Sequence, residues 1–273
     1  SLGATSTTTT TTTTTAPRVH FVTVETRGQS LAEKLGGLPV HNVGLGQPWD
    51  GFRSKLTGPL PFLRTLQAHA ESEMDMVVFF DGGDVMWGGC DLADFLDAYK
   101  RIAKRTGASV VFSAEINCFE QNCTRAPEIP EWVDELVKPP WHKPTRKFLN
   151  SGFYMGPVRD VVKMLEWASS NYDSVPFLQA HPWPVAGGGG HGDQGVLAEY
   201  WLDHLQDVAL DYGGELCLSL CFESPGMISV DTKRRAVINH ALDRAQCMIH
   251  GNGPKSSKDL LFQTVNQLMR GDA

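Results

Sequence analysis

The chain has 273 residues, 41% of them hydrophobic and 9% aromatic, enough to fill the core of one large domain or two small ones. Its formal charge of −7 at pH 7 comes without a long basic run, so nonspecific adhesion to nucleic acid or an anionic membrane surface has no electrostatic support. No stretch approaches the roughly 20 consecutive apolar residues that a membrane-spanning helix needs, so no membrane contact by this segment is expected.

Thr5 and Thr7 through Thr15 form a low-complexity run that ends at Ala16 and Pro17. Such a segment buries too little apolar surface to offset its ordering entropy, so 1–17 reads as a disordered stalk or linker, either O-glycosylated or a plain spacer. From Arg18 onward there is no internal repeat and no second linker, and 18–273 reads as one domain.

In chain order, "VHFVTVET" is β-branched and alternating, as a strand requires, and "SLAEKLGGL" after it has the apolar spacing and terminal glycines of a short helix. "VHNVGL" reads as a second strand, "GQPWDGF" as a loop and "PLPFLRTLQAHAE" as a helix with Leu60, Leu63 and Leu66 on one side. "MDMVVFF" is an apolar run of strand length, expected where both faces of a sheet are covered. "DLADFLDAYKRIAKR" is helical from an aspartate near its N-cap, and "ASVVFSAE" is the next strand. This alternation predicts an α/β fold with a doubly wound sheet.

The second half is less regular. "KFLNSGFYMG" is strand-like, "PVRDVVKMLEWAS" is helical with Pro157 at N1, and "VAGGGGHGDQG" is a Gly-rich loop expected to close over a bound ligand. A helix follows from Asp193, then short strands "DVALDY" and "CMIH" and an amphipathic helix "KDLLFQTVNQLM".

Of the six cysteines, Cys118/Cys123 and Cys217/Cys221 are close enough in sequence for local bridges. The sequon Asn122-Cys123-Thr124 lies beside the first pair, and together they favour an oxidising secretory compartment, with any signal or anchor upstream of Ser1. A zinc site is disfavoured by the absence of a C-x-x-C pair.

The stretch "VVFFDGGDV" delivers Asp81 and Asp84 together at a strand's C-terminal end, where open α/β sheets bind ligands. Two converging carboxylates repel unless a cation or protons intervene, and a hard divalent cation is the economical solution, although strand-end aspartates also serve as caps and turns. Near the other end "CMIHGNGP" carries His250 into a loop with Gly251, Asn252 and Gly253, offering an imidazole to a metal and backbone N–H groups to phosphate oxygens.

"VVFFDGGDV", "VVFSAE", "FLNSGFYMG", "DQ" before an aromatic helix, "VALDY" and "IHGNGP" follow one another in the order seen in the glycosyltransferase domain of the multifunctional procollagen lysyl hydroxylases, which this chain resembles. The resemblance implies a GT-A-type, Rossmann-like fold with a mixed sheet flanked by helices. It also implies a UDP-sugar donor, UDP-glucose or UDP-galactose, used with Mn2+ held by Asp81, Asp84 and His250. It places Thr23 and Glu25 near the nucleotide and Asn150, Ser151 and Gly152 on the sugar and acceptor side. Asp193 and Gln194 are set against the donor sugar, and Gly251 to Gly253 and Lys255 against phosphate. The implied activity is retaining transfer of glucose or galactose to a hydroxylated, collagen-like protein side chain or its attached sugar, in the lumen of the endoplasmic reticulum or Golgi.

Two departures stand out. The family's Gly-rich segment with a lysine is here "RSKLTGPLPF", leaving Lys55 as the nearest basic candidate, and the acidic run before "DQ" is replaced by "GGGGHG". The second departure keeps open a glycan- or nucleotide-sugar-binding module without turnover. A Mg2+-dependent phosphohydrolase is weaker still, because Gly83 stands where its second aspartate belongs.

Overall fold

The computed structural model describes residues 18–69, 75–141, 145–175 and 192–270. The Thr-rich segment expected as a linker and the Gly-rich stretch as far as His191 lie outside the described residues.

From the N-terminus, β1 (Val19–Thr23), α1 (Leu31–Gly36) and β2 (Val40–Asn42) are followed by α2 (Arg53–Thr57) and α3 (Leu60–Gln67). Next come β3 (Met76–Phe80), the short β4 (Val85–Trp87), α4 (Leu92–Thr106) and β5 (Val110–Glu115). After α5 (Trp132–Leu136) stand β6 (Phe148–Pro157), α6 (Val158–Asn171), α7 (Asp193–Asp203) and β7 (Val208–Asp211). The C-terminal part holds β8 (Cys217–Ser219), β9 (Ile228–Asp231), β10 (Ala236–Asn239), β11 (Arg244–Ala245), β12 (Met248–His250) and α8 (Lys255–Arg270).

Six strands form the main sheet in the order β2-β1-β3-β6-β5-β7. β1 runs parallel to β2 and β3, β5 runs parallel to β7, and β6 is antiparallel to both of its neighbours. The sheet is therefore mixed, because the connection after β5 returns at the same edge and sends β6 back between β3 and β5. Alternate residues of β3 serve opposite faces: Val77 and Phe79 pack with Leu63, Val161 and Leu165 of α3 and α6, and Val78 and Phe80 pack with Phe95 and Ile102 of α4. Burial on both faces accounts for the unbroken apolar run.

Local chemistry sets the ends of the elements. Ser30 and Glu33 form a capping box at α1, and Gly37 closes that helix in the left-handed region with φ 61°. Phe95, Ala98 and Ile102 make the buried stripe of α4. Pro157 closes β6 and is the N-cap of α6, one position before the expected N1, and Gly192 is the N-cap of α7, so Asp193 is the first residue of its helix.

A second sheet, β4-β12-β8, joins parts of the chain far apart in sequence, and β9, β10 and β11 form a third. Strands of two to four residues interrupted by polar turns carry too short a period to be read from sequence, and β4, β8, β9, β10 and β11 were not anticipated. Among the cysteines, Cys118–Cys123 is bridged as its spacing allowed, but Cys217 and Cys221 are free and Cys90 pairs with Cys247. Cys217 points into the core around Phe80 and Phe95, whereas the Cys221 sulfur faces Gly253, so the two thiols do not meet. None of the described helices is long and apolar enough to cross a membrane.

Candidate active site

β3 ends at Phe80 and the chain turns at once: Val85 N–H donates to Asp81 O at 2.9 Å, so Asp81 and Asp84 sit on one tight turn. β4 then runs antiparallel to β12 with Val85 opposite His250, and Gly251 N–H donates to Asp84 O at 2.9 Å. That pairing brings the imidazole to the carboxylates. One ligand atom each from Asp81, Asp84 and His250 can be chosen so that all lie within 4.8 Å of one another, and His250 Nε2 is 3.3 Å from Asp84 Oδ1.

Asn150 fixes the ring. The register between β5 and β6 shifts between Phe112 and Ser113, a bulge that turns Asn150 to Gly152 toward the end of β3, where Asp81 N–H donates to Gly152 O at 3.0 Å. Asn150 Oδ1 accepts from Gly152 N–H and Ser113 Oγ and lies 2.9 Å from His250 Nδ1. Nδ1–H thus donates to Asn150 Oδ1, and Nε2 is directed at the carboxylates, the orientation in which an imidazole can ligate a metal.

A lysine completes the charge pattern. Lys55 Nζ lies 2.8 Å from Asp81 Oδ2 and 3.6 Å from Asp193 Oδ1, and Asp193 Oδ2, fully buried, has no hydrogen-bond partner among the described residues. Burial works against the Lys55 charge, but Asp193 and Asp81 outweigh it and raise its pKa. Burial also raises Asp81, whereas at Asp84 it is overcome by His250 and Lys55, which hold that carboxylate at about 2. Burial lowers His250 less than Asp84 and Asp81 raise it, so its pKa ends above the ordinary value. Three carboxylates around one lysine leave a negative field, and a carboxylate–imidazole donor set suits a divalent cation such as Mn2+.

Behind these residues lies a buried polar network that the sequence reading missed. Glu115, at the end of β5, accepts from Gln194 Nε2 at 2.7 Å and Asn150 Nδ2 at 3.3 Å on one oxygen, and from Asn252 Nδ2 at 2.8 Å on the other. Gln194 Oε1 accepts from Ser151 N–H at 3.1 Å, and Asn252 Oδ1 from Ser219 Oγ at 2.7 Å. Burial pushes Glu115 up to about 7 despite these donors. Its signal was the strand "VVFSAE" ending on an acid, as β3 does.

The aspartates floor a cleft of about 570 Å³, a volume suited to a small ligand, walled by Glu25, Arg27, Trp49, Phe52, Lys55 and Lys258. Glu25 is held by Arg27 at 2.9 Å. Three expected residues stand differently. Thr23 is buried beneath the floor and donates to Phe80 O at 2.7 Å, tying β1 to β3. Lys255 is exposed and paired with Asp259, and Lys258, one helical turn on, faces the cleft instead. The Gly251 N–H is spent on Asp84 O rather than left open for a phosphate.

The sequence matches the model of the PLOD GT domain over residues 26–175, more than half of the chain. This chain belongs to the PLOD glycosyltransferase domain family. Its mixed sheet flanked by helices is a GT-A-like glycosyltransferase domain, and such a domain takes a nucleotide-sugar and an acceptor. No curated protein matches the chain. The match ends before Asp193 and His250, so this PLOD GT domain takes one of its three candidate metal ligands from beyond the matched residues.

Proposed function

We propose that the chain transfers glucose or galactose from UDP-glucose or UDP-galactose, with Mn2+, to a hydroxylated, collagen-like protein side chain or a sugar already on it. The observation that carries this reading is the meeting of Asp81 and Asp84, which line the cleft, with the buried His250 beside them.

In this reading Asp81, Asp84 and His250 hold the cation, which when bound supplies positive charge to the diphosphate as the glycosidic bond breaks. Lys55 and Lys258 face the same phosphates from the cleft walls. Asn150 keeps His250 in its ligating tautomer and, through Gln194, ties that ring to the start of α7. Asp193 and Gln194 orient the hexosyl group. The electron pair of the broken C–O bond leaves on UDP, and the acceptor hydroxyl attacks from the same face, its proton passing to the departing phosphate oxygen, giving the retention that the family resemblance implies. Trp49 and Phe52, edge to face at 6.0 Å, offer aromatic surface at the rim for the base or the acceptor. The two bridged cysteine pairs support folding in an oxidising lumen.

The test is UDP release from a panel of UDP-sugars with Mn2+ or EDTA, alongside Asp84→Ala. Release from one sugar that needs both the metal and Asp84 is expected. No release from any sugar, even with hydroxylysine-containing or galactosylated collagen peptide present, overturns the transferase reading in favour of a binding module.

A further inference from the structure

The loop between Cys118 and Cys123 is closed by a disulfide and carries Glu120, a non-glycine residue with φ 55° that is only 5% exposed. A left-handed backbone at a glutamate is uncommon and is kept where its surroundings enforce it. Here the enforcement comes from both sides. Gln121 grips β6 by donating to Leu149 O at 3.0 Å and accepting from Leu149 N–H at 3.1 Å, and Gln194 Nε2 donates to Phe119 O at 3.2 Å.

The loop lays the Glu120 carboxylate directly over Gly192, where a Cβ would overlap it, and sets the Glu120 backbone carbonyl against Gly195 in the first turn of α7. Glu120 therefore stands beside Asp193, whose Oδ2 is buried and has no donor among the described residues. Two acids side by side with an unanswered acceptor need hydrogen-bond donors, and Lys55 answers only Asp193 Oδ1 and Asp81. Burial, and after it the Asp193 charge, push Glu120 up to about 7.

We propose that Glu120 is a further donor-sugar-binding residue, a carboxylate brought by the disulfide loop to the position beside Asp193, where the two acids accept hydrogen bonds from the hydroxyls of the hexosyl group. This rests on the transferase reading above. It supplies from a separate segment an acid that "GGGGHG" does not provide before Asp193. Such a residue binds the sugar and not the nucleotide.

The experiment is calorimetric titration of the wild-type chain, Glu120→Gln and Glu120→Asp with UDP, UDP-glucose and UDP-galactose in Mn2+. Glu120→Gln is expected to weaken binding of the cognate UDP-hexose about tenfold or more, as loss of a charged partner to sugar hydroxyls does, while UDP affinity changes less than about twofold. Glu120→Asp, which keeps the charge, is expected to recover part of the loss. Equal weakening for UDP and UDP-hexose, or no weakening, overturns the assignment while leaving the transferase reading intact. A wild-type chain that binds none of the three overturns both.

Discussion

Gly152 lies so close beneath the imidazole of His250 that a Cβ there would fall on the ring. The contact explains why the bulge in β6 carries a glycine at this position: the ring needs that space to reach Asp84 while its other nitrogen meets Asn150. Gly152→Ala is expected to swing His250 out of line and weaken Mn2+ affinity about tenfold or more, the size of effect seen when the groups orienting a metal ligand are lost. Manganese titration followed by electron paramagnetic resonance reads this directly, and unchanged affinity would remove His250 from the ligand set.

Lys55 bridges Asp81 and Asp193. Lys55→Met leaves those acids facing one another without a cation and takes a positive charge from the cleft wall, so UDP affinity is expected to fall roughly 10- to 100-fold, in line with a charge-assisted bond of about 1.5–3 kcal/mol. Retained UDP affinity in this variant would place the phosphates against Lys258 instead.

The Glu115 carboxyl is raised by burial from 4.5 to about 7. An acid raised on folding holds its proton in the native state where the unfolded chain has released it, so its stabilising contribution is complete below the unfolded value and is lost as pH rises through the folded one. The stability of the wild type relative to Glu115→Gln is therefore expected to fall by about 3 kcal/mol between about pH 4.5 and pH 8. Urea titrations of both proteins across this range measure it, and a difference independent of pH would count against the buried, protonatable Glu115.

The two disulfides have different duties. Cys90–Cys247 spans 157 residues and pins β4 to β12, so Cys90→Ala with Cys247→Ala is expected to cost about 2–5 kcal/mol of stability. Cys118–Cys123 closes a loop of sequence separation five that touches Gln194 through Phe119 O. Replacing both of its cysteines with serine should cost about 2 kcal/mol or less in stability while slowing hexosyl transfer. Thermal melts and turnover on the two double variants separate these roles, and equal losses in both would contradict the division.

The strands of the first half were legible because each buried strand carries its own signal: an apolar run such as Met76–Phe80, covered on both faces, cannot be mistaken for a surface element. Asp81 and Asp84 could be placed for the same reason, as they follow that run. His250 was legible from "CMIH" and the glycines after it, but not the route that brings it to Asp84, which depends on β4 pairing with β12. That pairing, the Cys90–Cys247 bridge and the reach of Asn252 to Glu115 join residues more than 130 positions apart, and no local periodicity encodes such contacts. Glu120 escaped for a different reason. Its meaning comes from a left-handed backbone and a neighbouring Gly192, and nothing in "CFEQNC" announces either.

The insertion of β12 between β4 and β8 also sets an order of events for the growing polypeptide. Asp81 and Asp84 leave the ribosome well before His250, whose strand docks only once both of its flanking partners, β4 and β8, have been made. An unfinished chain holds two acids that repel each other and no imidazole to complete them. The site therefore depends on β12 being present, and a protein cut short before that strand is barred from assembling it.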